Sequence, residues 1–203
     1  MKKLLSAFLG ICACAISAQA QVTVKPGIRA GLNLSKLTDT DFDYQPNFYA
    51  GGFLAIKLSK IYTLQPEITY SAQGAKANIT YQYDDIAQDG HATQHISIGY
   101  LSFGIINKFT FNDAFDIHFG PAIDFQTDSN VSTNSDVDLT FMAGLGCKLP
   151  YGFGLEARVK KGIIDVLDSD NYNGYNNYVG NWNTNVVFQL GLNYSFDAKG
   201  TTK

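Results

Sequence analysis

Little in this chain is available to cross-link it. Of three cysteines, Cys12 and Cys14 fall in an apolar N-terminal stretch, and only Cys147 lies beyond it. No disulfide can close within residues 21–203, which excludes a disulfide-stapled secreted scaffold. Long apolar runs are missing as well. No stretch reaches 18 consecutive apolar residues, so no helical membrane span is encoded. Charged residues are only 16% of the chain, and the net charge of -3 becomes -5 once Lys2 and Lys3 are set aside. The missing basic excess argues against nucleic acid as a partner. Helical periodicity is absent too, which leaves strands as the only regular element.

What is present begins with an export signal. Lys2 and Lys3 precede Leu4–Ile16, apolar but for Ser6, and Ala18-Gln19-Ala20 has the small-x-small form of a signal peptidase site. A transmembrane helix is the competing reading, but the run is well short of the roughly 20 residues a span requires. A lipoprotein signal fits badly at Cys12, after Leu9-Gly10-Ile11, and only partly at Cys14. The expected organisation is a signal peptide at 1–20, one barrel domain at 21–196 and a periplasmic tail at 197–203.

Eight segments carry the period-two alternation of a strand. They fall near Val24–Ser35, Asn47–Leu58, Tyr62–Ala75, Gln94–Phe111, Ala114–Thr127, Val137–Leu149, Gly152–Asp165 and Trp182–Phe196. The fifth alternates most cleanly. Phe115, Ile117, Phe119, Pro121, Ile123 and Phe125 face one way, and Asp116, His118, Gly120, Ala122, Asp124 and Gln126 the other. The connections alternate between long (Lys36–Pro46, Lys76–Thr93, Asp128–Asp136, Val166–Gly180) and two or three residues (Ser59–Ile61, Asn112–Asp113, Pro150–Tyr151). An even number of long dyad strands joined in this way predicts an all-β fold, an eight-stranded antiparallel up-and-down transmembrane β-barrel with short periplasmic turns and long outer loops. A lipocalin-like soluble barrel, with the apolar parity inside around a ligand, is the competitor. An eight-stranded interior is only wide enough for side chains, and one parity is rich in Gly, Ser, Asn and charge. That parity is expected inside, which puts the apolar one against lipid.

Specific residues then resemble a family. Gly51-Gly52, Leu64-Gln65-Pro66-Glu67, Tyr70-Ser71 and Gly74 are similar to the second and third strands of PorT-like outer-membrane β-barrels. Tyr100-Leu101 with Gly120-Pro121 resembles the fourth and fifth, and Leu155-Glu156-Ala157-Arg158 with Gly162 the seventh. Gly104 stands where that family often has Pro, and Val159 where it often has Tyr. The resemblance runs from about Gln21 to Phe196. It implies an eight-stranded outer-membrane barrel and little about activity. One member acts in a secretion system, a role no residue here singles out.

The polar parity collects Arg29, Lys57, Glu67, Lys108, Asp116, His118, Asp124, Lys148, Glu156, Arg158 and Lys160. In a narrow lumen these charges are expected to pair and fill the bore, because an unpaired buried charge is very costly. The core of this expected network is Arg29, Glu67, Lys108, Asp116, His118, Asp124, Glu156 and Arg158. The sharper alternatives are a narrow pore or proton path through Asp116, His118 and Asp124, or a lipid-directed enzyme using His118 with Ser102 or Asp116. No Gly-x-Ser-x-Gly motif supports the latter, and no catalysis, metal or cofactor is expected. Asp168-Ser169-Asp170 before Gly174 departs from a calcium loop at Tyr172 and lacks the closing glutamate. Tyr178 and Trp182 are read as interface-girdle residues, with a sugar- or protein-binding loop as the alternative. Tyr194 and Phe196 end the last strand and are expected to act as the barrel-assembly signal. The partners expected are outer-membrane lipid and lipopolysaccharide, the barrel assembly machinery, and a surface protein or glycan reached through the long loops. Localisation is expected in the outer membrane of a Gram-negative bacterium, with a structural or surface-interaction role.

Overall fold

The computed structural model describes residues 22–82, 89–112, 114–167 and 182–196. The signal-peptide and tail assignments lie outside them, as do Asp168–Asp170 and Tyr178. Eight strands follow in order: β1 Thr23–Leu37, β2 Asp43–Lys57, β3 Tyr62–Gln82, β4 Asp89–Phe111, β5 Phe115–Ser129, β6 Val137–Lys148, β7 Phe153–Gly162 and β8 Asn185–Ser195. Each pairs antiparallel with its sequence neighbour, and β8 returns to β1 to close the ring. Closure matters because a sheet edge in lipid would leave backbone N–H and C=O groups without partners.

Side-chain exposure decides which parity faces out. Leu32 and Leu190, paired across β1 and β8, are 66% and 62% exposed, whereas Arg29 and Asn33 on β1 are 3% and 1% exposed. The apolar parity is therefore outside. The lipocalin arrangement is excluded, because its ligand cavity needs the opposite assignment. An outer surface carrying Ile28, Leu32, Phe103, Ile117, Phe141, Leu155 and Leu190 is far larger than the apolar patches a soluble monomer tolerates. It suits acyl chains.

Aromatic pairs mark both rims of this belt, as interfacial girdles do. At the short-turn end Tyr62 meets Phe109 at 5.2 Å, Phe153 meets Tyr194 at 4.9 Å and Tyr194 meets Phe196 at 5.0 Å between centroids. Towards the long loops Phe48 meets Tyr70 at 6.0 Å and Tyr44 meets Phe188 at 6.1 Å. Phe119 sits between Phe115 and Phe125 on β5, facing out. Phe119→Arg is expected to cost roughly 2–4 kcal/mol near the midplane, with Phe119→Leu nearly neutral. Urea titration of the refolded protein in bilayers checks this, and equal stability of the two variants would contradict the lipid-facing assignment.

Several boundaries differ from the sequence expectation. Lys76–Thr93 is mostly hairpin rather than loop, since β3 and β4 stay in register from Lys76↔His95 to Gln82↔Asp89. Alternating Ile79, Thr80 and Tyr81 favour extension there. The expected loop Lys36–Pro46 shrinks to residues 38–42. The last strand starts at Asn185 rather than Trp182. Asn183 instead anchors a loop, donating from Nδ2 to the Leu167 carbonyl at 2.9 Å and accepting the Leu167 N–H at 2.6 Å. Strand β7 stops at Gly162, short of Asp165, where the Asp138 carboxylate accepts the N–H groups of Ile163 and Ile164. The tight β6–β7 turn is a 3-10 turn, Pro150–Gly152. Gly152 there has φ +83°, and a Cβ would press on the Ser195 carbonyl, so this position needs glycine.

Candidate functional site

Among the described residues, the lumen is where the fold concentrates charged and polar side chains. All eight network residues expected from the sequence lie on inward parity. Their partners come from strands far apart in sequence. Arg29 on β1 donates from Nη1 to Glu67 Oε1 on β3 at 2.7 Å and lies 2.6 Å from Glu156 on β7 through Nη2. Arg158 on β7 donates to the same Glu67 oxygen at 2.8 Å and to Glu156 Oε2 at 3.2 Å. Two guanidinium and two carboxylate groups thus alternate in a neutral quartet whose side chains are at most 3% exposed. Such forked contacts are the strong form of an ion pair. Tyr49 adds a hydrogen bond to Glu156 at 3.1 Å, and its ring lies 4.8 Å beneath the Arg29 guanidinium. A Cβ on Gly191 would collide with the Tyr49 hydroxyl, so the ring's seat in the bore depends on that glycine.

Strands β3 and β7 stand four apart in a ring of eight, on opposite walls. A direct contact from Glu67 to Arg158 therefore spans the bore. A second crossing lies nearer the long loops, where Asn185 on β8 donates to the Tyr100 hydroxyl on β4 at 3.3 Å. Between these levels Lys160 pairs with Asp124, and Ser102 donates to Asp124 at 2.6 Å while accepting from Lys160 at 3.1 Å.

The proposed chain Asp116–His118–Asp124 does not form one path. His118 Nδ1 meets Asp116 at 2.8 Å, with Lys108 at 3.6 Å from the same oxygen. Asp124 lies six residues further along β5, about 20 Å at strand rise. Gly120 and Ala122 intervene, and Ala122 packs in an apolar cluster with Ile106 and Met142. That cluster also leaves no room for arginine at Ala122, although parity alone makes Ala122 a lumen position. His118 is fully buried, stacked over Gly144 of β6, and its Nε2 has no hydrogen-bond partner among the described residues. Ser102 serves Asp124 and Lys160 rather than His118.

The lumen is not polar throughout. At the long-loop end Leu37, Phe42, Ala75, Ala77, Ile96, Ile98, Tyr100, Val166 and Leu167 form an apolar cap, with Val131 against it. Thr38 ties the same end together through bonds to Trp182 and Thr184. Trp182 itself is exposed and lies outside β8. At the short-turn end the Phe196 N–H donates to the Pro26 carbonyl at 2.8 Å, placing the Tyr194 and Phe196 rings beside the start of β1.

A closed ring of eight strands, apolar outside and lined with paired charge inside, agrees with what the sequence matches as a whole. Residues 18–201 match the outer membrane protein beta-barrel domain. The chain belongs to that family. It is an outer-membrane β-barrel protein. Similar solved structures include the attachment invasion locus protein Ail of Yersinia pestis, at 12% identity over 85% of this chain and 98% of that one, with a TM-score of 0.47. Neisserial surface protein A is 11% identical over 86% and 99%, with a TM-score of 0.49. OprG of Pseudomonas aeruginosa is 14% identical over 87% and 98%, with a TM-score of 0.46. No curated protein matches the sequence.

Sequence parity alone marks Tyr49, Tyr100 and Asn185 as inward, but nothing in the sequence says that they reach across the bore. The apolar cap had a signal in Ile96 and Ile98, apolar residues on the inward parity of β4.

Proposed function

We propose that this protein is a non-conducting, non-catalytic barrel that presents its long-loop end as a surface for a protein or glycan ligand. The contact between Glu67 and Arg158 carries this reading. Side chains from opposite walls meet at 2.8 Å, and the Tyr100–Asn185 crossing and the apolar cap stand above it. A pore would need all three to open. The absence of catalysis is supported by the burial of His118 and Ser102, whose polar contacts are to Asp116 in one case and to Asp124 and Lys160 in the other. The narrower PorT-like membership, removal of 1–20 before Gln21, and assembly by the barrel assembly machinery through Tyr194 and Phe196 belong to the same proposal. Lipopolysaccharide and outer-membrane phospholipid would surround the apolar belt.

Planar-bilayer recording tests the sealed lumen. The expected trace is flat, and reproducible conductance steps would replace this reading with the narrow pore. Orientation is tested separately. Epitope tags inserted at 83–88 or 168–181 should be reached by antibody on intact cells. Surface proteolysis confined to the Asn112-Asp113 turn would invert the assignment.

A further inference from the structure

On the outward faces of β1, β7 and β8, charge is confined to one level. Lys161 on β7 and Lys36 on β1 are both register partners of Val186 on β8. The two lysines therefore flank Val186 in one row across three adjacent strands, at the long-loop end. Each is the single charged residue on the outward face of its strand, and β8 carries none on its outward face. The next row down is Val159, Phe188 and Leu34, and the one below it Ala157, Leu190 and Leu32. A pair of cations thus stands directly above a wall suited to acyl chains. Lys36 lies 5.4 Å from the centroid of the Tyr44 ring, which in turn meets Phe188. Lys161 Nζ donates to the Thr38 hydroxyl at 3.1 Å and to the Thr184 hydroxyl. These contacts are all with neutral groups. The carboxylate in electrostatic range of Lys161 is Asp138, on the lumen side of the wall, whose Oδ1 already accepts the N–H groups of Ile163 and Ile164. Asp39 and Asp41 follow Lys36 in sequence and belong to the loop beyond the row.

A lysine at the edge of an apolar belt ordinarily reaches for water. Here the two lysines share a level two strand spacings apart, about 10 Å between Cα atoms, and one of them is braced by hydroxyls. An ammonium has three donors, so Lys161 keeps one to offer after Thr38 and Thr184. Point charges of this kind suit a phosphate, and basic side chains at a membrane surface attract anionic headgroups. We infer that the β7–β8–β1 face seats one phosphorylated glycolipid of the outer leaflet, the lipid anchor of lipopolysaccharide. Its phosphate lies between Lys36 and Lys161, and its acyl chains lie along Phe188 and Leu190. The order of the rows matches such a lipid, with the charged head at the loop end and the chains towards the midplane. The inference rests on the reading that the long-loop end faces outward. Tags reached only from the periplasmic side would overturn both; loss of lipid binding with the tags reached on intact cells would overturn this inference alone.

The experiment uses the mature chain refolded in a phosphate-free, uncharged detergent and titrated with bisphosphorylated lipid A, with native mass spectrometry as the readout. A saturable one-to-one complex is expected. Lys36→Gln and Lys161→Gln should each weaken it about fivefold, and the double variant about tenfold or more. Lys161→Arg, which keeps the charge, should retain binding. Lys60→Gln, in the short β2–β3 turn at the opposite end, should leave it unchanged. Dephosphorylated lipid A should bind the unaltered protein no better than the bisphosphorylated form binds the double variant. Mobility of unboiled samples on gels reports folding for each variant. Should Lys161→Gln fail to fold because Thr38 and Thr184 lose their shared donor, Lys36→Glu carries the test, with binding abolished as the expected result. A second arm titrates phosphatidylglycerol. Weaker binding than lipid A supports the glycolipid; equal binding with the same lysine dependence assigns the face to phospholipid headgroups and overturns the inference. Absence of saturable lipid A binding, or binding indifferent to the double variant or to removal of the phosphates, overturns it as well.

Discussion

Deleting Val186–Lys203 is expected to abolish folding, while deleting only Asp197–Lys203 leaves a normal barrel. The long deletion removes β8 but for its first residue and opens two edges at once. Residues Gly27–Lys36 of β1 lose partners from Ser195 to Val186, and Phe153–Lys161 of β7 lose partners from Tyr194 to Val186. In lipid those freed backbone groups have no water to turn to. The short deletion ends after Phe196, whose N–H on the Pro26 carbonyl is the last backbone bond between the chain ends among the described residues. Phe196→Asp should slow insertion in cells more than it lowers the stability of barrel already folded. The ring sits at the rim against Tyr194 and makes its main contribution where the girdle meets water. Membrane yield of the three variants, with unboiled gel mobility as the readout of folding, checks this. A normal yield for Phe196→Asp, or loss of folding on trimming the tail alone, would contradict the role given to the terminal strand.

Arg158→Met should destabilise the barrel by about 3–5 kcal/mol, the range for breaking a buried ion pair from one side. Glu67 and Glu156 would then share Arg29 alone, in a bore from which neither carboxylate can turn to solvent. Adding Glu67→Gln to Arg158→Met should recover part of the loss, giving a coupling of about 1–3 kcal/mol for residues in direct contact. Urea titration of the two single variants and the double variant measures it. Strict additivity would mean that the Glu67–Arg158 contact across the bore does not hold in the folded protein. The same variants report on sealing: Arg158→Met shortens the side chain that reaches β3, and any conductance it gains locates the barrier at the quartet.

Much of the architecture was legible before any coordinates, for local reasons. Strand residues alternate with period two, so Phe115 to Gln126 announced both faces of β5. Turns of two or three residues join neighbouring strands in only one way, so Pro150–Tyr151 and Asn112–Asp113 fixed the up-and-down order. The boundaries that went astray depend on nonlocal partners. Trp182 and Thr184 continue the alternation of β8, but Asn183 is held by Leu167, and Asp138 ends β7 from the neighbouring strand. The β3–β4 hairpin outlasts its expected loop because each strand supplies the other's hydrogen bonds beyond the body of the barrel.

Composition and periodicity by themselves determined the strand number, the outward face, the absence of a helical span and the residue types that would share the lumen. They could not determine who meets whom inside it. Contact across a bore depends on stagger and closure, which are properties of the whole ring. Only closure brings Glu67 of β3 onto Arg158 of β7 and Tyr100 of β4 onto Asn185 of β8. Only stagger sets Asp124 of β5 beside Lys160 of β7. The tertiary structure also decided that charges from different strands pair in the middle of the bore, because whether a charge finds a given partner depends on how far along the barrel axis the two residues stand.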